Sequence, residues 1–170
     1  MTASPPAPSE PAFAAKIATR SSLTARLPGL RRPRVFTNGV FDILHRGHVT
    51  YLAQARALGE SLIVGVNTDA SVRRLGKGSE RPINTLDDRL AVLAALESVT
   101  LVVPFDEDTP LALVLECHPD VIVKGGDYSV ATTVGAAEVT GWGGRFVAIP
   151  FVSGRSTSAL LERIRGKALL

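Results

Sequence analysis

Cysteine is almost missing from this chain: its 170 residues include one, Cys117. No disulfide can close within the chain, so a reducing compartment is the natural setting. Set in an apolar helical context, Cys117 reads as a small buried hydrophobe. Aromatics are scarce at 5%, too few for the stacking platform of a single-strand nucleic-acid binder. No apolar run approaches the ~20 residues of a membrane span, and the N-terminus lacks the apolar core of a secretory signal. These absences predict a cytoplasmic protein with neither nucleic acid nor membrane as partner. At 18.0 kDa with 45% hydrophobic residues, the chain has material for one well-buried core and no room for a second catalytic domain.

Charge of negative sign is what the first segment lacks. Lys16, Arg20, Arg26, Arg31, Arg32 and Arg34 face only Glu10 there, and they account for much of the net charge of +3. Elsewhere the signs are mixed and no basic stripe forms, so an anionic small molecule explains the remaining cations better than a nucleic acid does. Met1 to about Pro11 has the Pro-, Ala- and Ser-rich composition of a disordered tail. A short helix is predicted from Ser21 or Ser22 to just before Pro28-Gly29. We divide the chain into a flexible or partly helical lead-in, 1–33, and a domain, 34–170.

From Arg34 onward β-branched strands alternate with helical runs. Strands are predicted at Val35–Thr37, Leu62–Val66, Leu101–Val103, Val121–Val123 and Phe146–Ile149, and helices near Val49–Leu58, Leu86–Leu96, Pro110–Cys117 and Val134–Gly141. Thr85 with Asp88 reads as a capping box, and Thr109-Pro110 as an N-cap followed by proline in the first turn. Continuous apolar strands separated by helices mean a parallel sheet covered on both faces, an α/β, doubly wound, Rossmann-like arrangement. Its ligand cleft lies at the carboxyl ends of the strands, where the strand order reverses.

The candidate residues all follow strands. His45-Arg46-Gly47-His48 comes after the first and opens an amphipathic run. Two imidazoles three apart on a first helical turn point the same way, above unpaired N–H groups and a partial positive charge, a place that binds anions. Gly47 removes a side chain where a phosphate would approach, and Asn38-Gly39 offers a sharp turn. Asn67 and Asp69 follow the second strand, Lys124 and Asp127 the fourth, and Gly154-Arg155-Ser156-Thr157-Ser158 the fifth. In that last loop hydroxyls and N–H groups could hold a β- or γ-phosphate. The basic, glycine-bearing stretch Arg73–Pro82 reads as a flap over a polyanion; it is no P-loop, since the order of that motif is absent. Asp42 reads either as a ligand-side residue or as a turn-former held by backbone hydrogen bonds. Arg89, in an otherwise apolar helix, is read as a buried ion-pair partner or a phosphate ligand, the structural role preferred, and His118 as a helix-end residue.

The H-x-G-H tetrapeptide at a strand-to-helix junction resembles the HxGH nucleotidyltransferase superfamily. More closely, Thr37–Asp42, Val66–Val72, Arg81–Asn84, Val123–Tyr128 and Ser156–Ser158 resemble the heptose 1-phosphate adenylyltransferases, which make ADP-heptose for bacterial lipopolysaccharide. The resemblance implies a three-layer α/β/α nucleotidyltransferase fold with a five-stranded sheet ordered 3-2-1-4-5. It implies ATP and a sugar 1-phosphate as substrates, with Mg2+ entering through the ATP phosphates. It also implies a homodimer or higher homo-oligomer, with a separate heptose kinase and phosphatase in the pathway. His45, His48 and Lys77 become the catalytic candidates. Thr37, Asn38, Gly39, Val40, Phe41 and Asp69 join them as nucleotide-binding candidates, with Gly154, Arg155, Ser156, Thr157 and Ser158. Asp42, Asn67, Arg81, Lys124, Gly126, Asp127 and Tyr128 are the candidates on the sugar-phosphate side. Two departures stand out: Arg155 replaces the isoleucine usual in that last loop, and Phe151 stands where cytidylyl relatives carry arginine. The other readings are transfer of CMP or AMP to glycerol phosphate or phosphopantetheine, and a non-catalytic nucleotide-sensing module.

Deleting Met1 to Pro11 is expected to leave folding and activity intact, because that composition cannot bury apolar surface. A large drop in melting temperature of the shortened protein would show instead that the tail packs.

Overall fold

A computed structural model describes residues 9–76, 80–150, 160 and 166. Five strands form one all-parallel sheet in the order β3-β2-β1-β4-β5, as the resemblance implied. They are β1 (Arg34–Gly39), β2 (Ser61–Asn67), β3 (Leu101–Phe105), β4 (Val121–Gly125) and β5 (Arg145–Ile149). The helices are α1 (Arg20–Arg26), α2 (Arg46–Arg56), α3 (Asp69–Arg74), α4 (Leu86–Ala94), α5 (Leu111–Cys117) and α6 (Ala136–Gly141).

Alternate strand residues serve opposite faces, and both faces are covered. Val35, Leu62, Val64, Val102 and Val123 pack beneath Leu52 of α2 and Leu90 and Leu93 of α4. Phe36, Ile63, Leu101, Val103 and Ile122 pack beneath Leu23 of α1, Leu113 of α5 and Val139 of α6. This is the three-layer architecture, and it explains why the strands read as continuous apolar runs. Cys117 is buried in the second layer, where burial pushes its thiol up to about 12. Arg89 is also buried and pairs with Asp69.

Several local expectations are corrected. Asn38-Gly39 does not turn; both residues stay in β1, opposite Gly65 and Val66. The turn falls later, where Phe41 takes the left-handed φ of 49°, because pairing with β2 holds the chain extended to Gly39. α2 begins at Arg46, three residues before the predicted start, because His45 caps it: Nδ1 accepts the Gly47 N–H at 3.1 Å. α3 was missed; six residues are too few for periodicity, and the signal was Thr68, whose hydroxyl accepts the Ser71 N–H. Arg73 and Arg74 therefore end a helix instead of starting a flap. Thr85 caps α4 through the Asp88 N–H, but the Asp88 carboxylate takes the Thr85 hydroxyl, so the reciprocal half of the box is not made. Pro110, not Thr109, is the N-cap of α5 and makes no side-chain cap. α1 starts one residue before Ser21, under a capping box of Thr19 and Ser22.

The lead-in packs onto the sheet. Ile17 bridges Val102 in parallel, the Ala18 N–H donates to the Val102 carbonyl at 2.9 Å, and Leu23 is fully buried. Covering the β3 edge in this way removes a free pairing surface. Among the described residues no helix is long and apolar enough to cross a membrane.

Gly59, between α2 and β2, shows how closely the chain returns. A Cβ there would run into the Pro33 carbonyl oxygen and lie 2.8 Å from a Val35 methyl. Gly59→Ala is expected to cost about 2 kcal/mol by overpacking, lowering the melting temperature by roughly 5 °C. An unchanged melting temperature would show that the backbone there yields freely.

Candidate active site

A cavity of about 630 Å³ opens at the carboxyl ends of the strands, in the size range of small-ligand sites. Its walls run from the β3–α5 loop across the ends of β2 and β1 to the residues after β4. That path crosses the point between β1 and β4 where the strand order reverses.

Ten of the predicted residues border it: Asn38, Gly39, Val40, Phe41, Asp42, His48, Asn67, Arg81, Lys124 and Tyr128. Thr37, His45, Asp69, Gly126 and Asp127 do not. Thr37 is fully buried and its hydroxyl meets the Tyr51 hydroxyl at 2.6 Å. Asp69 accepts from the Arg89 guanidinium at 2.7 Å. Gly126 donates its N–H to the Ile149 carbonyl, and Asp127 is exposed. Lys77, Phe151, Gly154, Arg155, Ser156, Thr157 and Ser158 lie outside the described residues, as does most of the predicted last helix.

The two imidazoles are stacked, with ring centroids 4.0 Å apart and planes 27° off parallel. His45 Nδ1 accepts the Gly47 N–H, so in the neutral ring the proton belongs on Nε2. His48 lies between that ring and the edge of Phe41, 5.6 Å away and tilted by 66°. Its Nδ1 is buried with no hydrogen-bond partner among the described residues, where packing is what orients this ring. Burial, and then the neighbouring His45, lower the His48 pKa from its usual 6.5 to about 4. Near neutral pH His48 is therefore an uncharged imidazole.

Lys124 donates to the Asn38 side-chain oxygen at 2.6 Å and to its carbonyl at 3.2 Å, so the ammonium is held at the floor between β1 and β4. Asp42 is buried and faces inward: it accepts the N–H groups of Ile83 and Asn84 at 2.8 and 2.9 Å and meets Arg81 Nε at 2.5 Å. The Arg81 contact is a charge contact and not an aligned hydrogen bond. Of the two readings of Asp42, the loop-forming one matches this geometry. Among the described residues no three His, Cys, Asp or Glu side chains gather where a metal could sit.

Sequence reasoning missed Tyr51, Leu75, Asp108, Pro110 and Gly125, all of which border the cavity. Tyr51 lies one turn after His48 on the same face of α2, and its hydroxyl donates to the Val123 carbonyl at 3.2 Å. That spacing could have found it. Asp108 carried no signal beyond following a strand.

The depressed His48 pKa has a consequence for stability. Unfolded His48 takes up a proton as pH falls through about 6.5, folded His48 only near 4. Between those values the unfolded chain binds more protons, so this residue's contribution is whole above about pH 6.5 and is lost as pH falls toward 4. In His48→Gln the slope of unfolding free energy against pH should be shallower across that window. Equal slopes in denaturant melts of both proteins would show that His48 titrates normally.

Residues 36–146 match the family model described as cytidylyltransferase-like. The chain is 61% identical over 155 residues, 90% of its own length and 96% of the relative's, to D-beta-D-heptose 1-phosphate adenylyltransferase of Bordetella bronchiseptica. It is 59% identical over 133 residues to the bifunctional protein HldE of Pseudomonas paraeruginosa, covering 78% of this chain but only 28% of that protein. Among solved structures, the lipopolysaccharide core biosynthesis protein of Thermoplasma volcanium superposes with a TM-score of 0.58 at 31% identity, over 70% of this chain and 95% of that one. Pantoate-beta-alanine ligase of Francisella tularensis, 15% identical with a TM-score of 0.59 over 84% of this chain and 68% of its own, shares the fold. With the sheet order, the histidine pair at the start of α2 and these matches together, the chain belongs to the cytidylyltransferase-like family of nucleotidyltransferases.

Proposed function

We propose that the protein transfers the adenylyl group of ATP to D-glycero-β-D-manno-heptose 1-phosphate, giving ADP-heptose and pyrophosphate for lipopolysaccharide core synthesis. The observation that carries the chemistry is the His45–His48 stack at the start of α2, beside a cavity floored by Lys124. The acceptor is narrowed by the 61% identity to a heptose 1-phosphate adenylyltransferase over nearly the whole of both chains.

In this reading the 1-phosphate oxygen of the sugar attacks the α-phosphorus of ATP in line. A bond forms from that oxygen to phosphorus, the bond to the β-phosphate bridge breaks, and pyrophosphate carries off the electron pair. The described lining offers no serine, cysteine or unpaired lysine set up as a nucleophile, and a direct transfer needs none. Catalysis is then positioning and neutralisation of charge on the α-phosphate and the leaving group. His45 and His48 donate to phosphate oxygens, and the backbone at Val40-Phe41 lies along the nucleotide. Lys124 and Tyr128 face the sugar phosphate. Lys77 and the Gly154–Ser158 loop are our candidates for the β,γ end. The described carboxylates offer no cage for a resident ion: Asp42 is taken up by Ile83, Asn84 and Arg81. Magnesium then enters as part of the MgATP substrate. A kinase reaction must supply the sugar 1-phosphate.

The purified protein with magnesium is expected to release pyrophosphate from ATP in preference to CTP, and only with heptose 1-phosphate present. Phe151, in the place of the cytidylyl arginine, motivates the nucleotide preference. Glycerol 3-phosphate or phosphopantetheine should react more slowly by roughly 10⁴-fold, since they leave polar groups of a sugar site unpaired. Equal rates with those acceptors, or a preference for CTP, would overturn the heptose assignment. Nucleotide binding without pyrophosphate release for any acceptor would favour the sensor reading.

A further inference from the structure

A pocket that receives two polyanions should be free of carboxylates unless each has its own task, because an unmatched negative charge on the wall repels the ligands. Among the described residues two carboxylates border this one. Asp42 is buried and consumed by the Ile83–Asn84 backbone and Arg81. Asp108 is the opposite case. Its side chain is 78% exposed, and its single partner among the described residues is Arg74, whose Nε donates to Oδ1 at 2.8 Å.

The loop that carries Asp108 is fastened to the end of β2 and to α3 along its length. The Thr68 N–H donates to the Phe105 carbonyl at 2.9 Å, and the Thr68 hydroxyl bonds the Asp106 carboxylate. Arg74 bonds the Asp106 carbonyl, and the Ser71 hydroxyl donates to the Glu107 carbonyl at 3.2 Å. Asn67, also on the cavity wall, completes the series by donating Nδ2 to Ser71 Oγ at 3.0 Å. Asp108 is thus an exposed acceptor on a held backbone, and it shares the Arg74 guanidinium with Asp106. Groups suited to phosphate are His48, on α2 just after β1, and Lys124 on β4, whereas Asp108 follows β3, which lies on the far side of β2.

We propose that Asp108 is the acceptor-side specificity residue of this enzyme, its carboxylate taking hydrogen bonds from ring hydroxyls of the sugar phosphate. The inference rests on the adenylyl-transfer reading above and assigns the sugar's hydroxyl-bearing part to the β3 side of the cavity. The sugar's phosphate points toward His48 and Lys124. Arg74 is a positioning residue that acts through Asp108.

The test is steady-state kinetics of wild type, Asp108→Ala, Asp108→Asn and Asp106→Asn, varying heptose 1-phosphate and ATP separately, with melting curves for each. Wild type must first release pyrophosphate with heptose 1-phosphate; if it does not, the adenylyl-transfer reading fails and this inference with it. Given that activity, Asp108→Ala should raise the KM for heptose 1-phosphate by about 10- to 100-fold, the usual effect of losing hydrogen bonds to a charged group. Its KM for ATP and its melting temperature should stay near wild type. Asp108→Asn keeps an acceptor oxygen and should fall between. The preference for heptose 1-phosphate over glycerol 3-phosphate should narrow in Asp108→Ala, because the smaller acceptor never used that contact. Asp106→Asn loosens the same loop from outside the cavity and should leave the sugar KM within a fewfold of wild type. An unchanged sugar KM in Asp108→Ala, an equal rise in the KM for ATP, or the same rise in Asp106→Asn would each overturn the assignment.

Discussion

The buried guanidinium of Arg89 is the fixture on which the site depends. It is 2% exposed and donates to three separate segments: the Val40 carbonyl at 2.7 Å, the Asn84 carbonyl at 3.2 Å and the Asp69 carboxylate at 2.7 Å. Asp42 works in the reverse sense from the same place, drawing in the N–H groups of Ile83 and Asn84. One buried cation and one buried anion therefore clamp the loop after β1 against the loop before α4. Each has its own ion-pair partner, Asp69 for Arg89 and Arg81 for Asp42, and removing one partner of a buried ion pair typically costs about 3–5 kcal/mol, so the clamp is held strongly. What it holds is Phe41 at a φ of 49°, a conformation a bulky residue adopts only when its surroundings enforce it. Phe41 in turn presents its ring to His48. Support passes from a buried charge through a strained backbone to an imidazole whose Nδ1 has no hydrogen bond among the described residues.

The fold was legible for a simple reason. Strands buried on both faces read as unbroken apolar runs, and the helices between them carry the longer period, so alternation and sheet class follow from runs such as Leu62–Val66 read against Leu86–Leu96. The order of the strands came through resemblance. Ends were less legible because they depend on partners distant in sequence. Asn38-Gly39 looks like a turn in isolation, but β2 pairs with it and keeps it extended. His45 looks like a ligand, yet its Nδ1 also caps its own helix, two tasks that one residue letter cannot separate.

The site was legible where chemistry is local and hidden where it is assembled. H-x-G-H shows the histidine pair at once. Tyr51 sits inside an amphipathic run and has no signal of its own, although its hydroxyl ties β1 to β4 beneath the cavity. Asp108 reaches the wall only because α3, a helix too short to see in the sequence, fastens the loop after β3. Asp69 shows the converse: it follows a strand in the right place, but its carboxylate answers Arg89 and does not border the cavity.

Fixed positive charge is modest on the described walls. Arg81 is met by Asp42 and Lys124 is tethered to Asn38, and His48 is held uncharged near neutrality. What remains for phosphate oxygens is the pair of imidazoles and the single Lys124 ammonium, because the Gly47, His48 and Val49 N–H groups at the start of α2 already donate to His45. Such donors suit transfer better than a cluster of free cations would. A strong fixed charge attracts the resting triphosphate nearly as well as the transition state, which deepens binding without speeding the reaction. Oriented neutral donors gain most as negative charge concentrates on the oxygens they face. A rigid clamp of buried charges beneath uncharged imidazoles is therefore a coherent design: the clamp charges are matched among themselves, Arg89 with Asp69 and Arg81 with Asp42, and the imidazoles respond mainly when bonds begin to change.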